Sequence, residues 1–278
     1  MRSRSVLFGP AQRTDFVPKF VASGADIGVL DLEDATPEAG KAQARQTLID
    51  EAPGRHDLGS MLFFVRVNAL GTSHFAADIA AAAAAMASGI IAPKLETNRE
   101  VDDVRREMGK AGLGDALLCA GIESVAGVYH AVEVAGAGVD LVYFGAEDFI
   151  TDIGGVRTKN NTEVMYARSR VAMAARMASV PALDQVVVDY HDDARFTEEA
   201  LMARSFGFQG KLCIHPSQVT LANSAFTPSA DELAWARGVV EAAEVAEGEG
   251  SGVVSFNATM VDAPIVLRAR QLLASFEH

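Results

Sequence analysis

The stretch IGVLDLEDA, residues 27–35, contains the pattern that decides the fold: a short apolar run that ends in charged residues. A near-continuous run of Ile, Val and Leu is typical of a strand buried on both faces of a parallel sheet. After a turn, residues 37–52 favour a helix, with Pro near the start and helix-forming Ala, Gln and Arg inside. One strand followed by one helix is the repeating unit of α/β folds.

The same unit recurs along the chain to about residue 226. Helical stretches, among them residues 98–112 and 161–180, separate the apolar runs. Eight such units favour a single (β/α)8 barrel of the TIM type, although periodicity alone is also compatible with an open doubly wound sheet. The runs predict strands at residues 5–9, 27–32, 61–67, 89–94, 116–122, 139–145, 184–190 and 211–216.

The pattern changes after residue 228. Residues 231–248 predict a helix, residues 248–252 a flexible turn, and residues 256–276 a return to helical periodicity. A segment of about fifty residues is too small to fold alone. We therefore expect a barrel over residues 1–228 and a C-terminal helical extension over residues 229–278, which packs on the barrel or on a neighbouring subunit.

The composition limits the partners and the compartment. The chain carries 24 Lys and Arg against 37 Asp and Glu, a net charge of −13, whereas nucleic acids and anionic membranes require a basic surface. No apolar run approaches the roughly 20 residues of a membrane span, and the N-terminal run is too short for a signal peptide. Cys119 and Cys213 lie in apolar runs, as buried thiols in a reducing compartment do. We expect a cytoplasmic protein without nucleic-acid or membrane partners.

Polar residues follow every predicted strand. A single charge at a strand end is most often a solvated loop residue or a helix cap. In a barrel, however, the C-terminal strand ends share one rim, where functional groups gather and like charges repel unless something neutralises them. The residues at these ends are Arg13, Glu33, Asp34, Arg66, Asn68, Lys94, Glu123, Glu147, Asp148, Asp189, His191, His215 and Gln218.

Glu123 and Asp148 form the candidate metal site. They follow neighbouring predicted strands, so their carboxylates can converge on one hard cation, and Mg²⁺ usually takes one or two protein carboxylates. The alternative is that both cap the helices that follow. Zinc is disfavoured because the chain has no Cys-x-x-Cys or helical histidine pair.

Two cations and one histidine have two interpretations each. Arg66 lies inside the apolar run FFVRVN, so it needs either an acidic partner, such as Glu33 or Asp34, or an anionic ligand. Lys94 is where a Schiff-base aldolase would place its lysine, but the carboxylate pair favours metal activation. His215 is either a packed histidine or a substrate contact.

Seven motifs together resemble the citrate lyase β-subunit-like family, part of the aldolase/citrate lyase superfamily that includes malyl-CoA and citramalyl-CoA lyases. They occur in order over nearly the whole chain: LDLEDA (30–35), VRVN (65–68), APK (92–94), GIES (121–124), FGAED (144–148), CIHPSQ (213–218) and MVDAP (260–264).

The resemblance implies specific roles. Glu123 and Asp148 match the family's Mg²⁺ ligands, and Arg66 matches an arginine that contacts substrate near the metal. Asp262 matches a catalytic acid/base on a C-terminal lid. Relatives often have Asp-Gly-x-Met-Ile/Val-Asp here, whereas this chain has Asn-Ala-Thr-Met-Val-Asp at 257–262, which changes the turn but keeps the acid. Further substrate-binding residues implied by the resemblance are Arg13, Glu33, Asp34, Lys94, Gly145, Ala146 and His215.

The resemblance also implies an activity. It predicts a Mg²⁺-dependent carbon–carbon lyase that cleaves a 3-hydroxyacyl-CoA thioester of the citramalyl-CoA, malyl-CoA or hydroxymethylglutaryl-CoA type to acetyl-CoA and a keto acid. It also predicts a homo-oligomer, a trimer or hexamer. The alternatives are a citrate lyase β subunit acting on an acyl-carrier thioester, a malate-synthase-like or thioesterase-like activity, and a non-catalytic CoA-binding protein.

Overall fold

The computed structural model describes residues 1–13, 15–51, 54, 56–248, 254–257 and 259–276. The chain divides into two compact units. The first comprises Arg2–Phe226, and the second comprises Thr227–His278 together with Met1. The two free cysteines, Cys119 and Cys213, are both buried.

The first unit is a closed barrel of eight parallel strands within the described residues, and hydrogen bonding between β1 and β8 closes it. The predicted TIM-barrel class is therefore confirmed. The strands are β1 (Ser5–Pro10), β2 (Ile27–Asp31), β3 (Leu62–Arg66), β4 (Gly89–Ala92), β5 (Leu117–Ile122), β6 (Leu141–Phe144), β7 (Ala182–Asp184) and β8 (Gly210–Cys213).

Helices follow the strands and cover the barrel. The predicted helices at 37–52 and 161–180 each begin with a short 3₁₀ turn, at Glu38–Gly40 and Thr162–Val164. The α-helices are α1 (Phe16–Ser23), α2 (Lys41–Glu51), α3 (Phe75–Ala84), α4 (Asn98–Lys110), α5 (Val125–Tyr129), α6 (Ala131–Ala135), α7 (Ala146–Ile153), α8 (Met165–Ala178), α9 (Asp193–Phe206) and α10 (Pro216–Ala225).

Side chains alternate between the barrel interior and the layer under the helices, as the period of a strand requires. On β3, Phe64 belongs to the interior cluster, whereas Phe63 and Val65 pack in the outer one. Phe64 is paired in register with Gly89 of β4, where a Cβ would overlap the Phe64 ring. Small and large residues on neighbouring strands thus fill the interior together.

The prediction for strand seven was wrong. A strand was expected at residues 184–190, but β7 covers Ala182–Asp184 and the following residues are not extended in a ladder. Asp184 interrupts the apolar run, yet it is fully buried because its carboxylate accepts hydrogen bonds from Arg168 Nε (2.9 Å) and Lys211 Nζ (2.6 Å). The strand therefore ends at a charged residue, whose carboxylate is neutralised by Arg168 of α8 and Lys211 of β8.

The second unit contains α11 (Ala230–Gly248), the antiparallel strands β9 (Val254–Phe256) and β10 (Thr259–Val261), and α12 (Ala263–Phe276). The helical periodicity expected from residue 256 begins only at α12, because the chain turns at Asn257, which has φ of 49°, and forms a hairpin. The predicted turn at 248–252 lies, after Gly248, outside the described residues. None of the helices in the described part of the chain is long and apolar enough to cross a membrane.

We expect Asp184→Ala to destabilise the protein by about 3–5 kcal/mol, because it leaves the buried cations of Arg168 and Lys211 without their shared carboxylate. The measurement is the shift in urea unfolding midpoint. The control is Asp103→Ala, which removes a surface carboxylate paired with Arg106 and should change stability by about 0.5 kcal/mol or less. Equal midpoints for both variants would contradict the expectation.

Candidate functional site

Five of the predicted rim residues form one chain of charge contacts at the C-terminal ends of neighbouring strands. Arg66 Nη1 lies 3.1 Å from Glu33 Oε2, and Glu33 Oε1 lies 3.0 Å from Lys94 Nζ. Lys94 in turn contacts both predicted metal ligands: its Nζ lies 3.4 Å from Asp148 Oδ1, and its backbone N–H donates to Glu123 Oε1 at 2.9 Å. The strands that carry these residues are β2 to β6, in chain order.

The principal partner of Arg66 is Asp31, which the sequence analysis missed as a site residue. The two are register neighbours on β3 and β2, and the guanidinium donates from Nε (2.7 Å) and Nη2 (2.6 Å) to the two carboxylate oxygens. Burial lowers the pKa of Arg66, but the hydrogen bonds and charge of Asp31 outweigh it and raise that pKa. The available signal was an acidic residue inside the apolar run VLDL.

The turn after β2 is held by hydrogen bonds to its backbone. Asp31 Oδ1 accepts the N–H of Glu33 at 2.9 Å, and the buried Lys41 ammonium donates to the carbonyls of Leu32 and Glu33 at 2.8 Å each. Asn68 Nδ2 donates to the Leu32 carbonyl at 3.0 Å. These three side chains therefore set the backbone position of Glu33.

The pKa values of Glu33 and Lys94 are both raised. Burial raises the pKa of Glu33, against the opposing charge of Arg66. Glu33 Oε2 is buried without a hydrogen-bond partner, although the Arg66 charge is near it. Burial lowers the pKa of Lys94, but its hydrogen bond to Glu33 and that carboxylate's charge raise it overall. Lys94 also has φ of 56°, a left-handed conformation that is strained for a residue with a side chain and typical of functional sites.

Glu123 is buried, and the Tyr143 hydroxyl contacts its carboxylate. The Tyr143 hydroxyl lies 3.0 Å from its Oε1 and 2.9 Å from its Oε2. Burial raises the pKa of Glu123 to about 7, and the charges of Glu33 and Asp148 add to this effect. Tyr143 was also missed by the sequence analysis, although a tyrosine in an apolar strand signals a buried hydroxyl that needs a partner.

The helix-cap alternative does not hold for Glu123. Ser124 caps α5 instead, since its Oγ accepts the Gly127 N–H at 3.0 Å. Asp148 lies in the first turn of α7, where its charge interacts favourably with the helix dipole while it contacts Lys94.

Other predicted substrate-binding residues have different surroundings. Gly145 precedes α7 and lies against Glu123. A Cβ at Gly145 would overlap the Glu123 Oε2 atom. The buried Ala146 is the first residue of α7. Asp34 is exposed and lies 3.4 Å from Arg66 Nη2.

Arg13 and His215 make local contacts. Arg13 is exposed, pairs with Asp15 at 2.9 Å and covers the Phe16 ring. His215 caps α10 by accepting the Ser217 N–H at 3.3 Å, and its ring stacks on Tyr190 with centroids 4.9 Å apart.

Asp262 belongs to the second unit. It directly precedes α12, and its Oδ1 lies 3.4 Å from the Ile265 backbone nitrogen that donates to it. Its predicted role as an acid/base stays a prediction.

The oxygen donors of Glu123 and Asp148 fit a magnesium ion. Mg²⁺ binds through one or two carboxylates and fills its other positions with water and substrate oxygens. Across the ranges that the structure describes, no group of three or more His, Cys, Asp or Glu side chains is arranged to hold a metal ion. Two carboxylates are a ligand number that magnesium accepts, whereas structural zinc sites usually have four cysteine or histidine ligands.

A closed (β/α)8 barrel with charged groups of five consecutive strands at its C-terminal rim defines a barrel enzyme of the α/β class. The HpcH/HpaI aldolase/citrate lyase family model matches residues 4–216. The chain belongs to the HpcH/HpaI aldolase/citrate lyase family, which confirms the resemblance seen in the motifs, and it is an enzyme of the lyase class.

Individual relatives match over nearly the whole chain. The citrate lyase subunit beta-like protein of Deinococcus radiodurans is 42% identical and is covered to 96%, with 98% of this chain aligned. Mitochondrial citramalyl-CoA lyase of Rattus norvegicus is 28% identical, with 97% of this chain and 85% of that protein covered. The crystal structure of Mycobacterium tuberculosis CitE with magnesium, acetoacetate and coenzyme A has a TM-score of 0.84 at 32% identity and covers 99% of this chain and 98% of that one.

We expect Glu123→Gln to stabilise the metal-free protein more at pH 8 than at pH 5. The folded protein keeps the Glu123 proton up to about pH 7, whereas the unfolded chain releases it near the usual 4.5. Between these values the native state binds more protons, so the wild type loses stability as the pH rises, by up to about 3 kcal/mol. The glutamine side chain of the variant does not titrate, so it escapes this loss.

The measurement is thermal unfolding of both proteins in EDTA from pH 5 to pH 8. The difference between their unfolding midpoints should grow toward pH 8. A difference that stays constant over this range would show that the Glu123 pKa is not raised.

Proposed function

We propose that this chain is a Mg²⁺-dependent carbon–carbon lyase that cleaves a 3-hydroxyacyl-CoA thioester of the citramalyl-CoA, malyl-CoA or hydroxymethylglutaryl-CoA type to acetyl-CoA and a keto acid. The observation that carries the proposal is the buried Glu123 carboxylate, fixed by Tyr143 and Lys94 in the same cluster as Asp148. The citramalyl-CoA lyase of Rattus norvegicus and the CitE complex with magnesium, acetoacetate and coenzyme A support the metal and the thioester.

Glu123 and Asp148 are the residues that would hold the metal. When bound there, Mg²⁺ supplies Lewis-acid polarisation of the substrate oxygens. Lys94 contacts both carboxylates: its backbone N–H donates to Glu123, and its ammonium lies 3.4 Å from Asp148 Oδ1 and offsets part of the negative charge. The carboxylates must be ionised to bind a cation, so binding competes with the proton that burial favours on Glu123.

Arg66 is proposed to bind the substrate through the part of its guanidinium that Asp31 does not use. Asp31 takes the Nε and Nη2 edge in a bidentate pair, which fixes the plane of the group. The Nη1 end points toward Glu33 and retains donor capacity for a substrate carboxylate or carbonyl oxygen. A cation held in this way stabilises negative charge that develops on those oxygens without having to reorganise.

Cleavage requires two proton transfers. The 3-hydroxyl proton leaves to a base, the carbon–carbon bond breaks, and the hydroxyl carbon becomes the keto group of the departing acid. The electron pair remains on the thioester as an enolate, whose carbon is then protonated. We assign that protonation to Asp262 on the basis of the MVDAP motif, and Lys94, Glu33, Asp34, Gly145, Ala146, Arg13 and His215 remain the proposed substrate-binding residues.

A second candidate is a citrate lyase β subunit that acts on an acyl-carrier thioester. The name of the Deinococcus radiodurans relative favours it. Turnover of free CoA esters by the isolated chain would argue against it, because a β subunit of that kind needs its carrier.

The resemblance also supports a cytoplasmic homo-oligomer, a trimer or hexamer. Light scattering on the purified protein would measure the oligomeric state.

We expect the purified protein with Mg²⁺ to release acetyl-CoA from at least one of citramalyl-CoA, malyl-CoA and hydroxymethylglutaryl-CoA, and EDTA to abolish the release. Glu123→Ala should lower kcat/KM by more than about 100-fold, because it removes a ligand and its charge from the site. Mass spectrometry of the products makes the measurement. Glu133→Ala, which removes an exposed carboxylate from α6, is the control and should retain activity. An intact protein that cleaves none of the three esters contradicts the free-CoA assignment.

We expect Asp262→Asn to abolish turnover and to leave metal binding unchanged, because it removes an ionisable group and keeps the side-chain shape. Steady-state kinetics and Mn²⁺ titration of the same preparation test both parts. Near-normal turnover in this variant would rule out Asp262 as the acid.

A further inference from the structure

Tyr143 connects the barrel interior to the candidate metal site. Its side chain belongs to the interior cluster and is 2% exposed, so the hydroxyl is not at the surface of the site. Its register neighbour on β5 is Gly121, where a Cβ would come within 2.5 Å of the Tyr143 oxygen. The missing side chain at Gly121 leaves the path by which this hydroxyl reaches the Glu123 carboxylate.

The two oxygens of Glu123 have different described contacts. Oε1 accepts the Lys94 backbone N–H at 2.9 Å and also lies 3.0 Å from the Tyr143 oxygen. Oε2 has the Tyr143 hydroxyl at 2.9 Å as its described donor. Because one hydroxyl has one proton, Tyr143 donates to one of these oxygens at a time, and in either case the carboxylate accepts two hydrogen bonds, one from Tyr143 and one from the Lys94 N–H.

Glu123 Oε2 lies beside the start of α7, the helix that carries the second proposed ligand. Oε2 lies over the Cα of Gly145, at a place that a Cβ would overlap. Gly145 is the N-cap of α7, and Asp148 lies in the first turn of that helix. The absence of a side chain at Gly145 thus leaves the room that the Glu123 side chain occupies beside the start of α7.

We propose that Tyr143 is a positioning residue that, together with the Lys94 N–H and the side-chain-free Gly145, holds the Glu123 carboxylate in one orientation for metal binding. This inference rests on the proposed function, which makes Glu123 and Asp148 the metal ligands. It adds a role for a residue that touches neither substrate nor metal.

Hydrogen bonds of this kind stabilise a metal site by orienting its ligands. A glutamate side chain that is free to rotate loses conformational entropy when it binds a cation, whereas one already fixed does not. Loss of an outer hydrogen bond to a metal ligand typically costs about 10–100-fold in metal affinity or activity. The expected consequence of losing the Tyr143 hydroxyl is therefore weaker metal binding, with a site that still works once it is saturated.

The test is Tyr143→Phe, which removes one oxygen atom and keeps the ring that fills the barrel interior. Electron paramagnetic resonance of free Mn²⁺, a divalent cation with similar ligand preference, measures the Kd directly without turnover. We expect the Kd to rise about 10–100-fold, and the activity to recover to within about threefold of wild type at saturating metal.

The matched control is Tyr129→Phe. It deletes the same atom from a tyrosine that is 74% exposed, so Kd and activity should be unchanged. The thermal midpoint of each metal-free variant separates a loss of positioning from a loss of folding, since a purely structural role would move the midpoint and not the Kd.

Gly145→Ala tests the same arrangement from the other side. The added methyl group overlaps Glu123 Oε2 and displaces the oxygen while the Tyr143 hydroxyl remains, so the Mn²⁺ Kd should again rise. If Tyr143→Phe does not fold, an unchanged Mn²⁺ Kd in Gly145→Ala would overturn the proposed orientation of the Glu123 carboxylate.

The outcomes separate this inference from the proposed function. If Tyr143→Phe folds and binds Mn²⁺ as wild type does, while Glu123→Ala loses binding, the positioning role is overturned and the metal site stands. If Glu123→Ala binds Mn²⁺ as tightly as wild type, the proposed metal ligand is wrong and the role of Tyr143 falls with it.

Discussion

The bidentate ion pair between Arg66 and Asp31 is the interaction on which the charged rim depends. It joins register neighbours on β3 and β2, and it pairs a largely buried guanidinium that would be costly to leave without a partner. The same carboxylate accepts the backbone N–H of Glu33, so one aspartate sets both the plane of the arginine and the turn that follows β2. With that turn in place, Glu33 reaches between Arg66 and Lys94 and extends the charge contacts toward β5 and β6.

The rim concentrates carboxylates that would repel one another in isolation. Arg66 and Lys94 neutralise part of this charge, yet the pKa of Glu33 and that of Glu123 remain raised because burial disfavours their ionised forms. Under the proposed function, a hard divalent cation bound by Glu123 and Asp148 would offset this repulsion, and carboxylate oxygens are ligands that suit magnesium. The strained backbone at Lys94 fits this view, since it directs one N–H at Glu123 while the side chain contacts Glu33 and Asp148.

The supporting residues lie in the interior and under the helices, away from the rim itself. Tyr143 reaches Glu123 from inside the barrel, and Lys41 holds the carbonyls of the turn that carries Glu33. Both side chains are polar and buried, so each needs a hydrogen-bond partner. The positions of the charged side chains therefore depend on hydrogen bonds from Tyr143 and Lys41, which are not themselves strand-end residues.

The sequence by itself determined a parallel α/β fold, favoured a barrel over an open doubly wound sheet, and predicted most of the rim. Apolar runs of strand length, each followed by a helical segment, allow few architectures, and in a closed parallel barrel every strand end meets at one edge, so Glu33, Arg66, Lys94, Glu123 and Asp148 could be expected together. Only the tertiary structure decided which of them are partners and where the pattern is interrupted. The pairing of Arg66 with Asp31, the contact of Tyr143 with Glu123 and the short β7 ending in buried Asp184 all depend on strand register and on groups distant in the chain. Periodicity describes which face a residue takes, whereas a buried charge or hydroxyl is placed by whichever partner the folded chain brings to it.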